Sequence, residues 1–257
     1  MAASGGSIDL SGQTAIVTGG SRGIGAAVCR MLAQCGAKVV VAYKHNHEAA
    51  DLMVREIEAL GSQGLALAGD LSEDEANETL FKRTLERFGA VNLVVGNAGI
   101  WQSSPMEDMT AEIWHQTIKA NLDSTAFLCR HAAAQMKKQG GGKIILISST
   151  AGQRGEPYYA HYAASKGAII ALARSLAGEL GPSGIHVNVV APGWVKTEMT
   201  AAVFADEDFA AEVKAQIPLR RIAGPEDIAG PVLFLASHLA NHVQGAVINV
   251  NGGSVLS

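Results

Sequence analysis

The sequence is poor in the features that mark membrane proteins, nucleic-acid-binding proteins and disulfide-stabilised domains. Among its 257 residues there are 3 cysteines, and 5% of the side chains are aromatic. No apolar run approaches the roughly 18 residues that a bilayer-spanning helix needs. The 20 Lys and Arg residues are outnumbered by 24 Asp and Glu residues, which gives a formal net charge of -4. Because nucleic acids and anionic membranes bind basic surfaces, we expect neither as a partner.

The cysteines and the amino-terminal segment exclude further classes. Cys29, Cys35 and Cys129 are an odd number and show no C-x-x-C spacing, which predicts no disulfide framework and no metal site. We expect all three to be small buried apolar side chains. The segment MAASGGSIDL has no basic stretch followed by an apolar one, which predicts no signal peptide and a cytoplasmic location.

Short apolar runs that alternate with longer helical segments are abundant. Runs such as TAIVT and KIILIS are continuous rather than alternating, which is typical of strands covered on both faces. The repeated strand–helix order predicts a parallel sheet with helices on each side. With no linker in the sequence, we expect residues 1–257 to form a single α/β domain. Its doubly wound (Rossmann) sheet would have about seven strands, with helices on both faces.

The pattern also predicts the bounds of the elements. We expect strands at Thr14–Thr18, 38–42, 65–68, 91–95, 143–148, 186–190 and 246–250. We expect helices at 24–35, 47–60, 73–88, 112–138, Ala160–Leu180 and from 224 onward. The long helix is expected to bend near Asn121, and residues 194–220 show no clear periodicity.

A glycine-rich turn, GGSRGIG at 19–25, follows the first strand and opens a helix. Glycines allow a sharp turn and close approach to a pyrophosphate, while the helix start offers N–H groups and a partial positive charge. This context predicts a dinucleotide site, with a merely tight turn as the alternative. Its predicted contacts are Gly19, Ser21, Arg22, Gly23, Ile24 and Gly25.

The end of the second strand bears on the choice of cofactor. An acid there would bind the 2′-hydroxyl of NAD, whereas a basic residue favours the 2′-phosphate of NADP. The strand ends in Tyr43-Lys44 with no acid, and Arg22 lies in the neighbouring turn. The sequence therefore favours NADP(H) over NAD(H), although Lys44 could equally be an ordinary surface charge. Asp70 could accept from the adenine amino group or cap the following helix.

A tyrosine and a lysine four residues apart provide candidate acid–base chemistry. Tyr162 and Lys166 would share one helix face. A free tyrosine has a pKa near 10, and a neighbouring ammonium group favours its phenolate form. Ser149, at the end of the fifth strand, could donate a hydrogen bond to a carbonyl oxygen. A chance Tyr–Lys pair and an ordinary polar strand end are the alternatives.

These motifs together resemble the short-chain dehydrogenase/reductase family, from about Leu10 to Gly253. The resemblance implies that Tyr162 is the general acid in reduction and the base in oxidation. Lys166 would bind the nicotinamide ribose and lower the Tyr162 pKa, and Ser149 would hold the carbonyl. Asn121 would support a water relay. The motifs that carry the resemblance are Thr18-Gly19-x-x-x-Gly23-x-Gly25, Asn97-Ala98-Gly99, Asn121, Ser149, Tyr162-x-x-x-Lys166 and Pro192-Gly193.

The same resemblance extends the cofactor site and implies a homotetramer built through the helices at 112–138 and 160–180. Gly96 and Asn251 depart from the family pattern, and we expect both to affect packing more than chemistry. The further cofactor contacts that we expect are Tyr43, Lys44, Asp70, Leu71, Asn97, Ala98, Gly99, Tyr162, Lys166, Pro192, Gly193, Val195 and Thr197.

Two substrate classes are open within the family. The chain is most similar to 3-oxoacyl-acyl-carrier-protein reductases and bacterial glucose dehydrogenases. The first likeness predicts NADPH-dependent reduction of a 3-oxoacyl thioester or another ketone, and the second predicts NAD(P)-dependent oxidation of a sugar or secondary alcohol. The positions that dock a carrier protein in reductases correspond to Gly140 and Ser183, which are not basic. Lys137, Lys138 and Arg174 are the possible substitutes.

The substrate pocket is expected to be formed by loops that vary in sequence within a fold. We predict that residues 194–220 bind substrate together with 153–159 and His161, and that Trp194, Met199 and Phe204 form an apolar wall. A non-catalytic dinucleotide sensor is the alternative from another class. It would be expected to lose Tyr162 or Lys166.

Overall fold

Seven parallel strands form one sheet in the computed structural model, which describes residues 8–256. The sheet order is β3-β2-β1-β4-β5-β6-β7. The predicted doubly wound parallel sheet is confirmed, and its strand order reverses between β1 and β4, where such sheets bind ligands. The signal-peptide prediction falls mostly on residues outside the described range. The strands are β1 (Thr14–Thr18), β2 (Lys38–Tyr43), β3 (Gly64–Ala68), β4 (Leu93–Gly96), β5 (Gly142–Ile147), β6 (Ile185–Pro192) and β7 (Val247–Val250).

Helices cover both faces of the sheet, as predicted. The described helices are α1 (Gly23–Gln34), α2 (His47–Ala59), α3 (Asp74–Phe88), α4 (Ala111–Ile118), α5 (Ser124–Gln139), α6 (Ala151–Arg154), α7 (Ala160–Leu180), α8 (Ala201–Phe204), α9 (Glu207–Gln216) and α10 (Pro225–Ala236). One buried cluster joins α1, α2 and α10 to the sheet, and a second joins α3, α5 and α7 to its other face. Because both faces are covered, every residue of β1 is buried, which explains its continuous apolar sequence.

Every strand except β1 differs from its predicted bounds by one or two residues at one or both ends. β4 begins at Leu93 rather than at 91, although Asn92 is bonded to the neighbouring strand β1: its N–H donates to the Thr14 carbonyl, and its Oδ1 accepts from the Thr14 N–H, both at 2.9 Å. β6 is longer than predicted and reaches Pro192, while β7 begins one residue later, at Val247. The longer β6 carries the backbone further toward the edge where the site lies.

The long predicted helix at 112–138 is divided by a π-helical turn, Lys119–Asp123, between α4 and α5. The predicted irregularity near Asn121 is therefore confirmed. The wider turn changes the backbone hydrogen bonding of the helix. The Asn121 carbonyl oxygen accepts a hydrogen bond from Thr125 Oγ1 at 2.7 Å. The turn leaves the Asn121 side chain with 0% exposure.

Residues 194–220 contain helices that the sequence did not indicate. α8 spans only four residues, too few to show a period. α9 begins after Asp206, whose Oδ1 accepts from the Phe209 N–H at 3.1 Å. The segment packs on a small core of its own, formed by Val213, Ile217 and Ile222.

The cysteines are free, as expected, but only two of them are buried. Cys29 and Cys129 lie in the core, and burial raises the pKa of Cys129 to about 12. Cys35 is half-buried at the end of α1, which corrects the expectation that all three are buried.

No helix within residues 8–256 is long and apolar enough to cross a membrane. In the same residues, no three His, Cys, Asp or Glu side chains are grouped to hold a metal ion.

Candidate active site

Ser149, Tyr162 and Lys166 meet where β5 ends against the first turns of α7. The Ser149 side chain lies near the Tyr162 hydroxyl, where it acts to lower the Tyr162 pKa. The Ser149 Oγ also accepts from the Ala151 N–H at 3.1 Å, so its own hydroxyl hydrogen is left to donate. Lys166 Nζ lies 5.8 Å from the centre of the Tyr162 ring and donates to the Ile147 carbonyl at 2.9 Å.

Close packing of α6 against α7 fixes this arrangement. A Cβ on Gly152 would lie 2.5 Å from the Lys166 carbonyl carbon, so only glycine allows the two helices to approach so closely. Ser148 Oγ donates to the Lys166 carbonyl at 2.7 Å and ties the end of β5 to α7. Gly152 and Ser148 were not identified from the sequence. Their positions beside the Ser149 motif were the available signal.

Asn121 is brought to the same place by the π-helical turn. Its Oδ1 accepts from the Ile100 N–H at 2.7 Å, and its Nδ2 donates to the Ser165 Oγ at 3.1 Å. Ser165 in turn donates to the Tyr162 carbonyl at 2.7 Å. A Cβ on Gly99 would lie 3.0 Å from Asn121 Oδ1 and 3.6 Å from Lys166 Nζ. The residues predicted from three distant motifs are thus neighbours.

Burial dominates the proton affinities of the candidate acid–base pair. It raises the pKa of Tyr162 to about 12, although the hydrogen bond from Ser149 acts in the opposite direction. Burial also lowers the pKa of Lys166 to about 8. Both shifts have one cause, since a low-dielectric site disfavours the charged form of each group. In the protein alone, burial therefore shifts the Tyr162 pKa upward, opposite to the lowering expected from Lys166.

The glycine-rich turn forms a cradle between β1 and α1. Gly19 and Gly23 have φ values of +63° and +52°, a region that L side chains rarely adopt. A Cβ on Gly25 would lie 2.2 Å from the Gly19 carbonyl oxygen, so the helix start lies directly against the turn. Arg22 is the N-cap residue of α1, and its side chain does not cap the helix. The first N–H groups of α1 therefore have no side-chain partner at this end.

The ends of β1 and β4 are tied together beside this cradle. Thr18 Oγ1 accepts from the N–H groups of both Asn97 and Ala98 at 2.9 Å. Asn97 Nδ2 donates to the Thr18 carbonyl at 2.9 Å. The predicted Asn97-Ala98-Gly99 motif thus shapes the sheet edge, and Gly96, which precedes it, packs against Leu146.

The predicted 2′-phosphate ligands are separate from each other in the structure. Lys44 Nζ lies 2.7 Å from Asp70 Oδ2 in an ion pair, and the Asp70 Oδ1 accepts from the Ser72 hydroxyl at 2.7 Å. Although burial raises the Asp70 pKa, the hydrogen bonds from Lys44 and Ser72 lower it to about 2. Asp70 does not cap α3, whose N-cap residue is Glu73. Arg22 is exposed and makes no ion pair within residues 8–256.

The other predicted cofactor contacts are distributed around the cradle. Tyr43 is half-buried, and its hydroxyl lies 2.7 Å from His47 Nδ1. Leu71 is buried, and its carbonyl oxygen accepts a hydrogen bond from Asn77 Nδ2. Ser21 and Ile24 lie on the turn and the first turn of α1. Ser21 also lines a groove of about 860 Å³ that includes Arg22, Lys196 and Glu198.

The segment after β6 completes the edge of the site. The Pro192 carbonyl accepts from the Thr150 N–H at 2.9 Å, and Gly193 packs closely on Asn251. Val195 is buried and bridges to Ala223. A Cβ on Gly23 would lie 3.4 Å from the Thr197 side chain, so this segment lies against the glycine-rich turn.

Aromatic side chains from three segments form a cluster beside the Ser149–Tyr162 pair. Trp101 follows β4, Tyr159 precedes α7 and Trp194 follows β6, and the Trp101 ring contacts both of the others. Trp194 and Phe204 were predicted as pocket wall, whereas Trp101 and Tyr159 were not identified individually. Their places just after Gly99 and just before Tyr162 were the available signal.

His161 does not line an open pocket, contrary to the prediction. Its exposure is 0%, and neither ring nitrogen has a hydrogen-bond partner among the described residues. Burial lowers the pKa of His161. We therefore interpret His161 as a neutral, buried side chain of α7 rather than as a substrate contact.

Comparison with known proteins agrees with the class of protein that the fold and site define, a dinucleotide-dependent oxidoreductase. Residues 19–255 match the family described as Enoyl-(Acyl carrier protein) reductase. An L-rhamnose 1-dehydrogenase (NAD(P)(+)) from Sphingomonas sp. (strain SKA58) is 40% identical over 95% of this chain and 96% of its own. A 3-oxoacyl-[acyl-carrier-protein] reductase from Synechocystis sp. is 40% identical over 96% of this chain and 98% of its own.

A solved structure extends this agreement to three dimensions. A protein from Beutenbergia cavernae, described as an NAD(P) dependent gluconate 5-dehydrogenase and solved with bound NADP at low occupancy, superposes with a TM-score of 0.92. It is 38% identical, over 98% of this chain and 100% of its own. The chain belongs to the short-chain dehydrogenase/reductase family and is an oxidoreductase acting on alcohol and carbonyl groups. The family resemblance seen in the motifs is confirmed.

Proposed function

We propose that this protein reduces a ketone, either a 3-oxoacyl thioester or another carbonyl compound, with NADPH as reductant. The observation that carries the proposal is the grouping of Ser149, Tyr162 and the buried Lys166 at the carboxyl edge of the sheet, with Lys166 Nζ 5.8 Å from the centre of the Tyr162 ring. Ligands bind at this edge in doubly wound sheets. The side chains assigned to catalysis are Asn121, Ser149, Tyr162 and Lys166.

The cradle supports a nicotinamide dinucleotide as cofactor. The start of α1 offers N–H groups without a side-chain cap, and Gly19, Gly23 and Gly25 leave room for a pyrophosphate. When bound, the dinucleotide supplies or accepts the hydride. Arg22 and Lys44 provide positive charge for a 2′-phosphate, which favours NADP(H), with NAD(H) as the alternative. The full set of contacts that we propose is Gly19, Ser21, Arg22, Gly23, Ile24, Gly25, Tyr43, Lys44, Asp70, Leu71, Asn97, Ala98, Gly99, Tyr162, Lys166, Pro192, Gly193, Val195 and Thr197.

The chain's own residues would handle the proton. With a pKa of about 12, Tyr162 carries its proton at neutral pH and can donate it to a carbonyl oxygen. Ser149 donates a hydrogen bond to the same oxygen as negative charge develops on it. Lys166, when protonated, stabilises the phenolate that Tyr162 leaves behind. Asn121 keeps its orientation through Ile100 and stays beside Lys166 to support reprotonation.

The remaining organisation follows the family pattern. We propose a single domain over 1–257 in which residues 194–220 bind substrate, and a homotetramer built through α5 and α7. A cytoplasmic location agrees with three free cysteines. No site for a nucleic acid or a membrane is proposed.

A second candidate function is oxidation of a sugar or secondary alcohol. The relatives named for L-rhamnose and gluconate dehydrogenation favour it. In that direction Tyr162 must first lose its proton, which its raised pKa opposes. The same residues serve both directions, so the substrate decides between the two.

The test is the Tyr162→Phe variant, with Leu239→Ala as the control. Leu239 is 59% exposed and lies outside the proposed cofactor and substrate contacts, so its replacement should leave turnover unchanged. Loss of the general acid should lower kcat by at least roughly 100-fold. Full activity in Tyr162→Phe would refute the mechanism. Fluorescence titration of the wild type with NADPH and NADH tests the cofactor, and tighter NADH binding would overturn the NADP assignment.

A further inference from the structure

We infer that the ketone substrate carries a planar aromatic ring system, an inference that rests on the proposed function and names its substrate class. The Trp101 and Tyr159 rings are stacked with centres 4.7 Å apart and planes 1° apart. Flat rings prefer such parallel offset contacts, and a parallel pair presents an outer face to a third ring. Tyr159 is the N-cap residue of α7, the helix that carries the proton donor Tyr162 three residues later.

The stacked pair is part of a larger aromatic wall. The Trp194 ring meets Trp101 at 90° with centres 5.7 Å apart, and Phe204 and Phe209 pack on Trp194. All five rings are half-buried, so part of each ring remains accessible. The three loops that leave β4, β5 and β6 thus contribute rings to a single surface at the carboxyl edge of the sheet.

A separate core keeps this wall in place. Val213, Ile217 and Ile222 are buried, and Trp194 packs against them together with the two phenylalanines. A wall fixed in this way costs little to order when a ligand binds. Met199, 44% exposed, extends the apolar surface beyond the rings. An adaptable thioether at the edge suits contact with an aromatic ligand.

Two polar side chains beside the wall have neighbours within the protein. The Ser103 side chain acts to lower the Tyr159 pKa, and the Glu156 carboxylate lies 3.2 Å from Arg154. A sugar needs several polar groups to replace the water around its hydroxyls, because unpaired buried hydroxyls are costly. An aliphatic acyl chain would fill apolar space without using a parallel ring pair. A flat aromatic ketone matches both features.

The reaction on such a substrate balances within the proposed function. The carbonyl π bond breaks, the carbon gains a hydride and the oxygen gains the Tyr162 proton. NADPH is oxidised to NADP⁺, and Tyr162 regains a proton from solvent. No other reactant is required.

The test compares 1-tetralone with 1-decalone, its ring-saturated counterpart, using the full chain and NADPH. We expect kcat/KM to favour 1-tetralone by roughly tenfold, because stacking stabilises the aromatic ring alone. Trp101→Leu should reduce that preference to within about twofold and leave turnover of 1-decalone in place. Trp114→Leu makes the same change on α4, outside the wall, and should keep the full preference. Tyr159→Leu provides a second test should Trp101→Leu fail to fold.

The outcomes separate this inference from the proposed function. Equal efficiency on both ketones overturns the aromatic inference, as does a preference that survives both Trp101→Leu and Tyr159→Leu. Turnover of L-rhamnose or an aliphatic 3-oxoacyl thioester, dependent on Tyr162 and without turnover of 1-tetralone, also overturns it but leaves the oxidoreductase mechanism standing. Activity that survives Tyr162→Phe refutes the proposed function instead.

Discussion

Replacing Asp70 by Asn should increase the preference of this protein for NADPH over NADH. The Lys44–Asp70 ion pair places a carboxylate, fully ionised at neutral pH, against one of the two charges proposed to bind the 2′-phosphate. While this pair persists, the phosphate meets a neutral pair rather than a free ammonium group. Asparagine keeps the Oδ1 acceptor for Ser72, so the turn after β3 is retained.

The magnitude follows from the exposure of the two side chains. Lys44 and Asp70 are 53% and 37% exposed, so solvent screens the pair and its own worth is only about 0.2–1 kcal/mol. Freeing Lys44 from the pair should strengthen its interaction with a 2′-phosphate by about 1 kcal/mol, the upper end of that range. The Kd ratio for NADH over NADPH should therefore rise roughly fivefold in Asp70→Asn.

The assay is fluorescence titration of both dinucleotides in a double-mutant cycle. Any contact of Asp70 with the adenine ring is common to both dinucleotides and cancels in the ratio. Lys44→Met alone should lower the ratio by roughly tenfold, and Asp70→Asn should have little effect on the ratio in its presence. Arg22→Met should lower the ratio independently of Asp70. An unchanged ratio in Asp70→Asn, or an equal change with and without Lys44, would refute the coupling.

Three further predictions concern the turn, the helix start and the proton donor. Gly25→Ala should cost about 1–3 kcal/mol of unfolding free energy and abolish NADPH binding, because its methyl would lie 2.2 Å from the Gly19 oxygen. The matched Gly178→Ala, in open space on α7, should gain about 0.5–1 kcal/mol, and equal effects in urea unfolding would contradict this reasoning. Asn46→Ala should cost about 1 kcal/mol in the same assay, because Asn46 Oδ1 caps α2, and no measurable loss would rule out the cap. Because the pKa of Tyr162 is about 12, the oxidation rate should rise with pH between about pH 7 and pH 9 while the reduction rate does not; a flat oxidation profile would contradict the assignment.

The sheet could be predicted from sequence because its strands carry a strong physical signal. β1, β2 and β5 are short continuous apolar runs, and burial on both faces requires that composition. The start of α1 after β1 could be predicted equally well, because the glycines at 19–25 indicate a sharp turn, and Gly19 and Gly23 do have positive φ. Strand ends were less predictable, as at Asn92, where a side-chain hydrogen bond to Thr14 accompanies the backbone hydrogen bonds just before β4 begins.

The candidate catalytic residues could be identified by motif, but their electrostatics could not. Proximity of Lys166 suggested a lowered Tyr162 pKa, whereas burial raises it. Spacing along a chain does not report how much water surrounds a side chain, and desolvation is decided by tertiary packing. The Lys44–Asp70 pair was missed for a related reason, because neighbouring strands bring together residues that are 26 positions apart.

The two burial shifts support the proposed direction, reduction. A neutral tyrosine is the form that a general acid needs, and burial keeps Tyr162 neutral without help from another group. Lys166, with a pKa of about 8, is protonated at neutral pH but remains close to losing its charge. Its attraction for the phenolate grows only after Tyr162 has given up its proton. The interaction is therefore stronger in the transition state than in the ground state, which is the condition for it to accelerate the reaction.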